Sequence, residues 1–539
     1  MKRLLFSLGF VAIAAAVGCS SAVSSGKSAP APTPTPGPGT LSQINPYVVE
    51  ETETYTIQRY PKAEYIRVDD RHIRHPLLAK PIEFFREDDD YYYVSVPKRI
   101  PEEERLKREA GQIPPPERTP VGATVSPTPP GPPLSDFANL FPARAAKRIR
   151  LEKVVSGLPL DGLWRASFVL ADVNEDGILD VVSPPSRIGG NPVLHIWIGD
   201  GKGKFTAWPL TFTEAGKEKP DPGLDYGGVA VGDVDRDGHV DVATASHGGG
   251  LAVFHGNGKG TFRVDRKGLP AGEFSAQAIA LLDVNRDGLL DLVASRDVVD
   301  SKESTPVDRK QVRVYVNVGD RGWQFHDGLV GGFYSNSLHA WDYDGDGLMD
   351  VLTGSHYNGA LTLVWKNLGT GNFSPVSFPD IEIYAYHFAT APGTFGRDRA
   401  AAFADAFYMS NTEAQPAKAA GITIYSYGGG KWTRHRVWRR KDAKTLQYAI
   451  AMGDLDGDGL DDVVFPDSEE RRLKIFFQQA DGSFVEAAEN EEPALDAPGQ
   501  CVRLADLDKD GRLDIVLAKT VSSVRPGDVG GWDVYLNRR

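Results

Sequence analysis

Residues 233–242 read DVDRDGHVDV, with aspartates at the first, third, fifth and ninth places of a loop that returns at once to β-branched residues. The pattern recurs as DVNEDGILD at 172–180, DVNRDGLLD at 283–291, DYDGDGLMD at 342–350, DLDGDGLDD at 454–462 and DLDKDGRLD at 506–514. Carboxylates at alternate places converge on one point when the chain between them folds back tightly, and glycine at the sixth place tolerates such a turn. A main-chain carbonyl at the seventh place and a carboxylate at the ninth complete an oxygen cage. Hard ligands of this kind suit Ca2+, whereas Mg2+ demands a stricter octahedron and keeps more water.

The predicted ligands are therefore Asp172, Asn174, Asp176, Ile178 and Asp180 in the first loop, and Asp233, Asp235, Asp237, His239 and Asp241 in the second. The third offers Asp283, Asn285, Asp287, Leu289 and Asp291, and the fourth Asp342, Asp344, Asp346, Leu348 and Asp350. The last two offer Asp454, Asp456, Asp458, Leu460 and Asp462, then Asp506, Asp508, Asp510, Arg512 and Asp514. The opening is shared with the EF-hand loop, but the closing acid comes at nine instead of twelve and the flanks are strand-like. A metal-free acidic turn is the alternative reading, and six matching copies weigh against it. A caged ion has little open coordination for substrate, so the sites read as structural.

The loops begin at 172, 233, 283, 342, 454 and 506, and the gap of 112 residues before the fifth holds two periods. A degenerate copy fits there: GRDRAAAFADAF at 396–407 keeps Asp398 and loses the other ligands. Each unit runs from a short apolar strand (GGVAVG) through the acidic loop to a second strand (VDVATAS) and a third (LAVFHG). A Gly-rich turn closing on an aromatic follows (GNGKGTF at 256–262), and then a fourth strand. Seven units of four antiparallel strands read as the blades of an all-β, seven-bladed β-propeller over 147–539. The last unit ends at WDVYLNRR, a third strand, while KRIRLEKVVSGLP at 147–159 resembles FRVDRKGLP at 262–270. The N-terminal strand is expected to complete the seventh blade, removing a free edge.

Ahead of the ring, Lys2 and Arg3 precede an apolar run ending AAVGCSS, which resembles the lipobox of bacterial lipoproteins with Cys19 as the lipidated residue. Residues 1–19 are accordingly a lipoprotein signal, with an ordinary cleaved signal peptide as the alternative. Residues 20–45 form a Pro/Ser-rich tether and 111–146 a second Pro-rich linker. Between them 46–110 alternates like strands in places, consistent with a small β-rich module, with a short helix expected at 101–110. EDDD at 87–90 reads as a solvated turn. With Cys19 lipidated, Cys501 has no disulfide partner and reads as a small buried residue. The net charge of −13 argues against a nucleic-acid partner. Six divalent ions would bring that balance to −1, so the acidity is better read as a metal requirement.

The repeats resemble the FG-GAP/VCBS type of integrin-like propeller over about 147–539, and the six loops match that family's calcium motif residue by residue. The resemblance implies about six structural Ca2+ sites, with the fifth blade departing from the pattern. It implies no single activity, because such propellers serve adhesion, sugar binding and scaffolding of enzymes.

A ligand is expected on the face opposite the acidic loops. Its candidates are Trp164, Arg165, Tyr226, Tyr334, Asn336, His387 and Tyr448 between blades, and Arg187, His247, Arg296, His356 and Tyr357 after second strands. Aromatic faces stack on sugars and the cations meet carboxylates, although such residues also pack between blades. The sequence holds no G-x-S-x-G, phosphate-binding glycine loop, H-E-x-x-H or C-x-x-C. The reading is an extracytoplasmic, membrane-anchored lipoprotein, in the outer membrane or at the cell surface of a diderm cell. It binds an extracellular glycan or protein, or else is a polysaccharide-active lyase or hydrolase working on the same face.

Overall fold

Around each acidic loop the apolar runs form strands of the expected length. GGVAVG is the strand Gly227–Gly232, the chain after the loop is Asp241–Ser246, and the third strand is Gly250–His255. A computed structural model describes residues 140–164, 167–187, 192–217, 223–271, 274, 276–296, 312–326, 335, 337–355, 362–376, 385–409, 418–445, 447–520 and 530–538, with strand segments between 48 and 97. The signal segment, the first linker, residues 111–139 of the second, the helix expected at 101–110 and most of the EDDD turn lie outside the described residues, whereas 140–146, expected as linker, are described and pair with the propeller.

Within 46–110 two small sheets form. Tyr55–Pro61 pairs with Tyr91–Pro97 in one, and Ile66–Arg67, His72–Arg74 and Ile82–Glu83 make the other.

From Val169 onward the chain builds seven antiparallel sheets, a seven-bladed β-propeller. Their first strands are Val169–Ala171, Gly227–Gly232, Ala276–Leu282, Leu338–Trp341, Ala385–Phe395, Ala451–Gly453 and Gly499–Ala505. These touch one another in cyclic order, the seventh meeting the first, and so surround the axis. The core is divided among the seams. Val182 and Ile196 of blade one pack with Val229, Val242 and Phe254 of blade two, and Val516, Trp532 and Val534 of blade seven pack with Val181, Trp197 and Phe205 of blade one. Burial of large apolar side chains on both faces of each sheet supplies the main cohesion of such a ring.

The outer strand of the seventh sheet comes from the other end of the propeller sequence. Leu151–Val154 pairs antiparallel with Gly531–Asn537, Val154 opposite Val534 and Leu151 opposite Asn537. The segment before it crosses the rims of two further blades. Leu140 and Arg439 exchange backbone hydrogen bonds of 2.9 Å, Ala145 N–H donates to the Glu486 carbonyl at 2.7 Å, and the buried Glu491 carboxylate accepts from the N–H groups of Arg148 and Ile149.

Two blades depart from the simple repeat. Thr211–Glu214 adds a fifth strand to blade two, parallel to Thr261–Asp265, because the long link after blade one carries Phe212 into the seam against Phe254 and Phe262. Blade five has strands of ten and eleven residues, its first two joined by a tight turn around Asp398 instead of a nine-residue loop. Among the described residues no helix is long and apolar enough to cross a membrane.

Candidate metal centres and the opposite face

All six acidic loops adopt one backbone path. Glycine at the sixth place has φ between 78° and 88°, as in Gly288 and Gly238. The fourth place is left-handed too, at Glu175, Arg236, Arg286 and Lys509 (φ 60–64°) and at Gly345 and Gly457. That second reversal is invisible in the sequence, because four of the six residues are ordinary side chains that usually avoid this region.

Hydrogen bonds hold the path. One oxygen of the first aspartate accepts the N–H of the sixth residue, as in Asp283 from Gly288 at 2.8 Å. One oxygen of the fifth aspartate accepts the N–H of the seventh, as in Asp287 from Leu289 at 2.8 Å. The ninth aspartate is fully buried in every loop. Asp291 Oδ2 accepts from Val284 N–H and Oδ1 from Asn317 N–H, both at 2.8 Å. Asp180, Asp241, Asp350, Asp462 and Asp514 repeat this double bond to the start of their loops and the end of their third strands. The ninth residue, read from the sequence as a ligand alone, therefore also staples the loop to the sheet.

Asparagines ending third strands latch neighbouring blades, a role the sequence reading missed. Asn317 Nδ2 donates to the Val234 carbonyl and Asn537 Nδ2 to that of Leu455, each at 2.8 Å, across a seam. The recurrence of Asn before the Gly-rich turn (VNVGD, WKNLGT) was the available signal.

The remaining oxygens suit a cation. Single ligand atoms of Asp342, Asp344 and Asp350 lie within 4.8 Å of one another, as do those of Asp454, Asp456 and Asp462, of Asp506, Asp508 and Asp514, and of Asp233, Asp235 and Asp237. Asp233 Oδ1, Asp344 Oδ1 and Asp508 Oδ1 are buried without a hydrogen-bond partner, a costly state that an ion in the loop would relieve. Burial raises Asp180 and Asp514 to about 6 and Asp291 and Asp350 to about 7. Such groups favour a compensating positive charge. Basic side chains partly supply it: Lys366 contacts Asp344 and lies 3.1 Å from Asp346, Arg148 lies 2.7 Å from Asp456, and Arg538 contacts Asp508. At His255, burial opposes protonation, but the neighbouring Asp241 and Asp265 carboxylates raise it to about 9.

On the opposite face the candidates separate into surface and core. Arg165, Tyr334, Asn336, His356 and Tyr357 lie outside the described residues. Trp164 is buried in a cluster with Trp197 and Trp532, its indole N–H donating to the Asp161 carbonyl at 2.8 Å. Arg296 is buried with its guanidinium 5.5 Å from the Phe274 ring. His387 is fully buried, Nδ1 lying 2.7 Å from Asp405 Oδ2, and its backbone bridges to Ser355 of blade four. These three expectations are corrected: each side chain belongs to a blade seam and is withdrawn from the surface.

Arg187, Tyr226 and His247 do come together. The exposed Arg187 guanidinium lies 4.8 Å from the ring of Tyr226, which is itself buried, and the half-buried His247 ring lies 4.7 Å from that ring. His247 N–H donates to the Tyr226 carbonyl at 2.9 Å, fixing the pair at the rim between blades one and two.

Tyr448 instead lines the axial channel, with Ser167, Ser337, His339, Thr390, Gln500, Cys501 and Arg503. Burial and the Arg503 guanidinium push the His339 imidazole down to about 4, and its Nε2–H donates to the Thr390 carbonyl at 2.8 Å.

The geometry defines a seven-bladed β-propeller with several clusters able to coordinate a cation, and its repeats are FG-GAP-like. The FG-GAP-like repeat family matches residues 172–244, 233–294 and 454–517. No curated protein matches the chain. Similar solved structures include an α-L-arabinanase of Penicillium chrysogenum complexed with arabinobiose, at 9% identity and TM-score 0.35, covering 57% of this chain and 92% of that one. Another is the periplasmic gluconolactonase of Pseudomonas aeruginosa, at 13% identity and TM-score 0.40, covering 61% and 85%.

Proposed function

We propose that this protein is an extracytoplasmic binding module: a propeller stabilised by Ca2+ in its acidic loops and closed by its N-terminal strand, which presents a glycan- or protein-binding face on the other side. The observation that carries the reading is the Arg187–Tyr226–His247 stack. It offers a carboxylate-binding fork and a hydrogen-bonding ring, both backed by the buried Tyr226, at the rim of the face that has no acidic loops. Arginine presents a planar, always charged fork, so an anionic glycan or an acidic protein segment is the ligand class it suits.

The test is gel retardation in acidic and neutral polysaccharides. Wild-type protein is expected to be retarded by the acidic one, and Arg187→Gln and His247→Gln each to lose about tenfold in affinity, the worth of one charge-assisted contact. Equal mobility of all three proteins would remove the reading. A polysaccharide lyase is the second reading, favoured by an imidazole near a guanidinium at the rim. It requires that unsaturated product accumulate with wild type and not with His247→Gln.

The lipobox-like AAVGCSS motif supports an anchor at Cys19, with the Pro-rich segments as tethers. Detergent-phase partitioning of the full chain, lost in Cys19→Ser, is the expected outcome.

A further inference from the structure

The six loops share their backbone but not the residue that faces them from the third strand. The ninth aspartate bonds the N–H of Gly199, Gly256, Asn317, Asn367, Gln478 or Asn537. The residue just before each is Ile198, His255, Val316, Lys366, Phe477 and Leu536 respectively. Blade two alone among these places an imidazole there.

His255 is drawn into its loop. Nδ1 lies 2.9 Å from Asp235 Oδ2 and 3.7 Å from Asp241 Oδ2, and ligand atoms of Asp235, Asp241 and His255 lie within 4.8 Å of one another. The side chain is nine-tenths buried, and neither ring nitrogen makes a hydrogen bond of good geometry, although both are buried. Asp233 Oδ1, in the same loop, is likewise buried and unpartnered. His255 Nδ1 thus lacks the partner that an ion held between it, Asp235 and Asp241 would provide. Behind the ring, Nε2 lies 3.6 Å from Asp265 Oδ2. A carboxylate on the far nitrogen is the arrangement that fixes the tautomer of a metal-bound histidine. Arg263, 3.6 Å from Asp235 and half-exposed, is the one other cation beside Asp235 among the described ion pairs, and it is free to swing outward.

We propose that the blade-two centre is a mixed nitrogen–oxygen site, with His255 Nδ1 joining Asp235 and Asp241, that takes a divalent transition metal of the Mn2+–Zn2+ class in preference to Ca2+. Calcium takes oxygen ligands, whereas imidazole suits first-row transition ions. The proposal rests on the reading of the loops as cation sites, and it separates blade two from the oxygen-only cages.

The experiment uses the full chain, stripped with chelator and loaded with Mn2+ in a large excess of Ca2+. Mn2+ electron paramagnetic resonance counts the retained ion, and its nitrogen hyperfine coupling reports a bound imidazole. The expected result is a single Mn2+ per chain that resists calcium and shows nitrogen coupling. His255→Gln should abolish the coupling, and Asp265→Asn, outside the cage, should weaken Mn2+ about 10- to 100-fold. Retention without nitrogen coupling, or complete displacement of Mn2+ by Ca2+, overturns the proposal while leaving the calcium cages standing. Failure to bind either ion removes the loop reading along with it, and His255 is then a counter-ion to Asp235.

Discussion

Asp291 and Asp287 are four residues apart in one loop, yet their side chains carry different work. Asp291 is fully buried and satisfies Val284 N–H and Asn317 N–H, while Asp287 is exposed and holds Leu289 N–H and the Asn285 amide. Asp291→Ala leaves two buried backbone donors unpaired and is expected to cost about 2–4 kcal/mol, with or without calcium. Asp287→Ala should cost less than about 1 kcal/mol in chelator and lose most of the calcium-dependent stabilisation of that loop. Urea unfolding of both variants in calcium and in chelator checks the distinction, and equal behaviour would contradict the staple. Spacing in the sequence identifies which residues share a loop. It does not identify which oxygens are already committed to the backbone, because the acceptor of Asn317 N–H depends on where a third strand ends, 26 residues away.

Between elements, the matching motifs VSGLP and RKGLP turn out to mark the same contact. Phe205 N–H donates to the Ser156 carbonyl at 2.7 Å, and Trp323 N–H donates to the Lys267 carbonyl at 2.9 Å, so each motif ties one blade's outer strand to the next. Gly268 has φ 82°, and a Cβ there would lie 1.8 Å from the Trp323 carbonyl oxygen. Gly216 has φ 77° with nothing within 4 Å. Gly216→Ala is therefore expected to lose about 1–2 kcal/mol, the left-handed penalty alone. Gly268→Ala must also move a backbone and should lose clearly more in the same urea assay; equal losses would show that the seam yields freely. Strand order and copy number were legible because the acidic loops, the short apolar runs and the Gly-rich turns recur in a fixed local order. The opposite face was less legible. Trp164, Arg296 and His387 sit at the same kind of strand end as Arg187 and His247, and only the packing of neighbouring blades decides which are buried.

At the scale of the whole ring, two devices act against its opening, and they respond to different conditions. Leu151–Val154 clasps the last blade through backbone hydrogen bonds, which chelation does not touch. The acidic loops concentrate charge in a chain of net −13 and bury six ninth-place aspartates, so they are expected to depend on cations. A site held at a hundredfold excess of ion over its Kd contributes about 2.7 kcal/mol, and several such sites together exceed about 10 kcal/mol. Chelation should therefore lower the melting temperature of the full chain by about ten degrees or more. Calcium should restore it where magnesium at equal concentration restores little, since Mg2+ demands a stricter octahedron and keeps more of its water. The clasp predicts that the chelated protein keeps its β-sheet circular dichroism and its monomer or oligomer size at low temperature, because the ring is loosened at its rim and not cut. A melt indifferent to chelator would mean that Lys366, Arg148, Arg538 and His255 already neutralise the loops well enough to stand in for ions. A melt that collapses together with the secondary structure would instead place the cations, and not the clasp, as what keeps the ring closed.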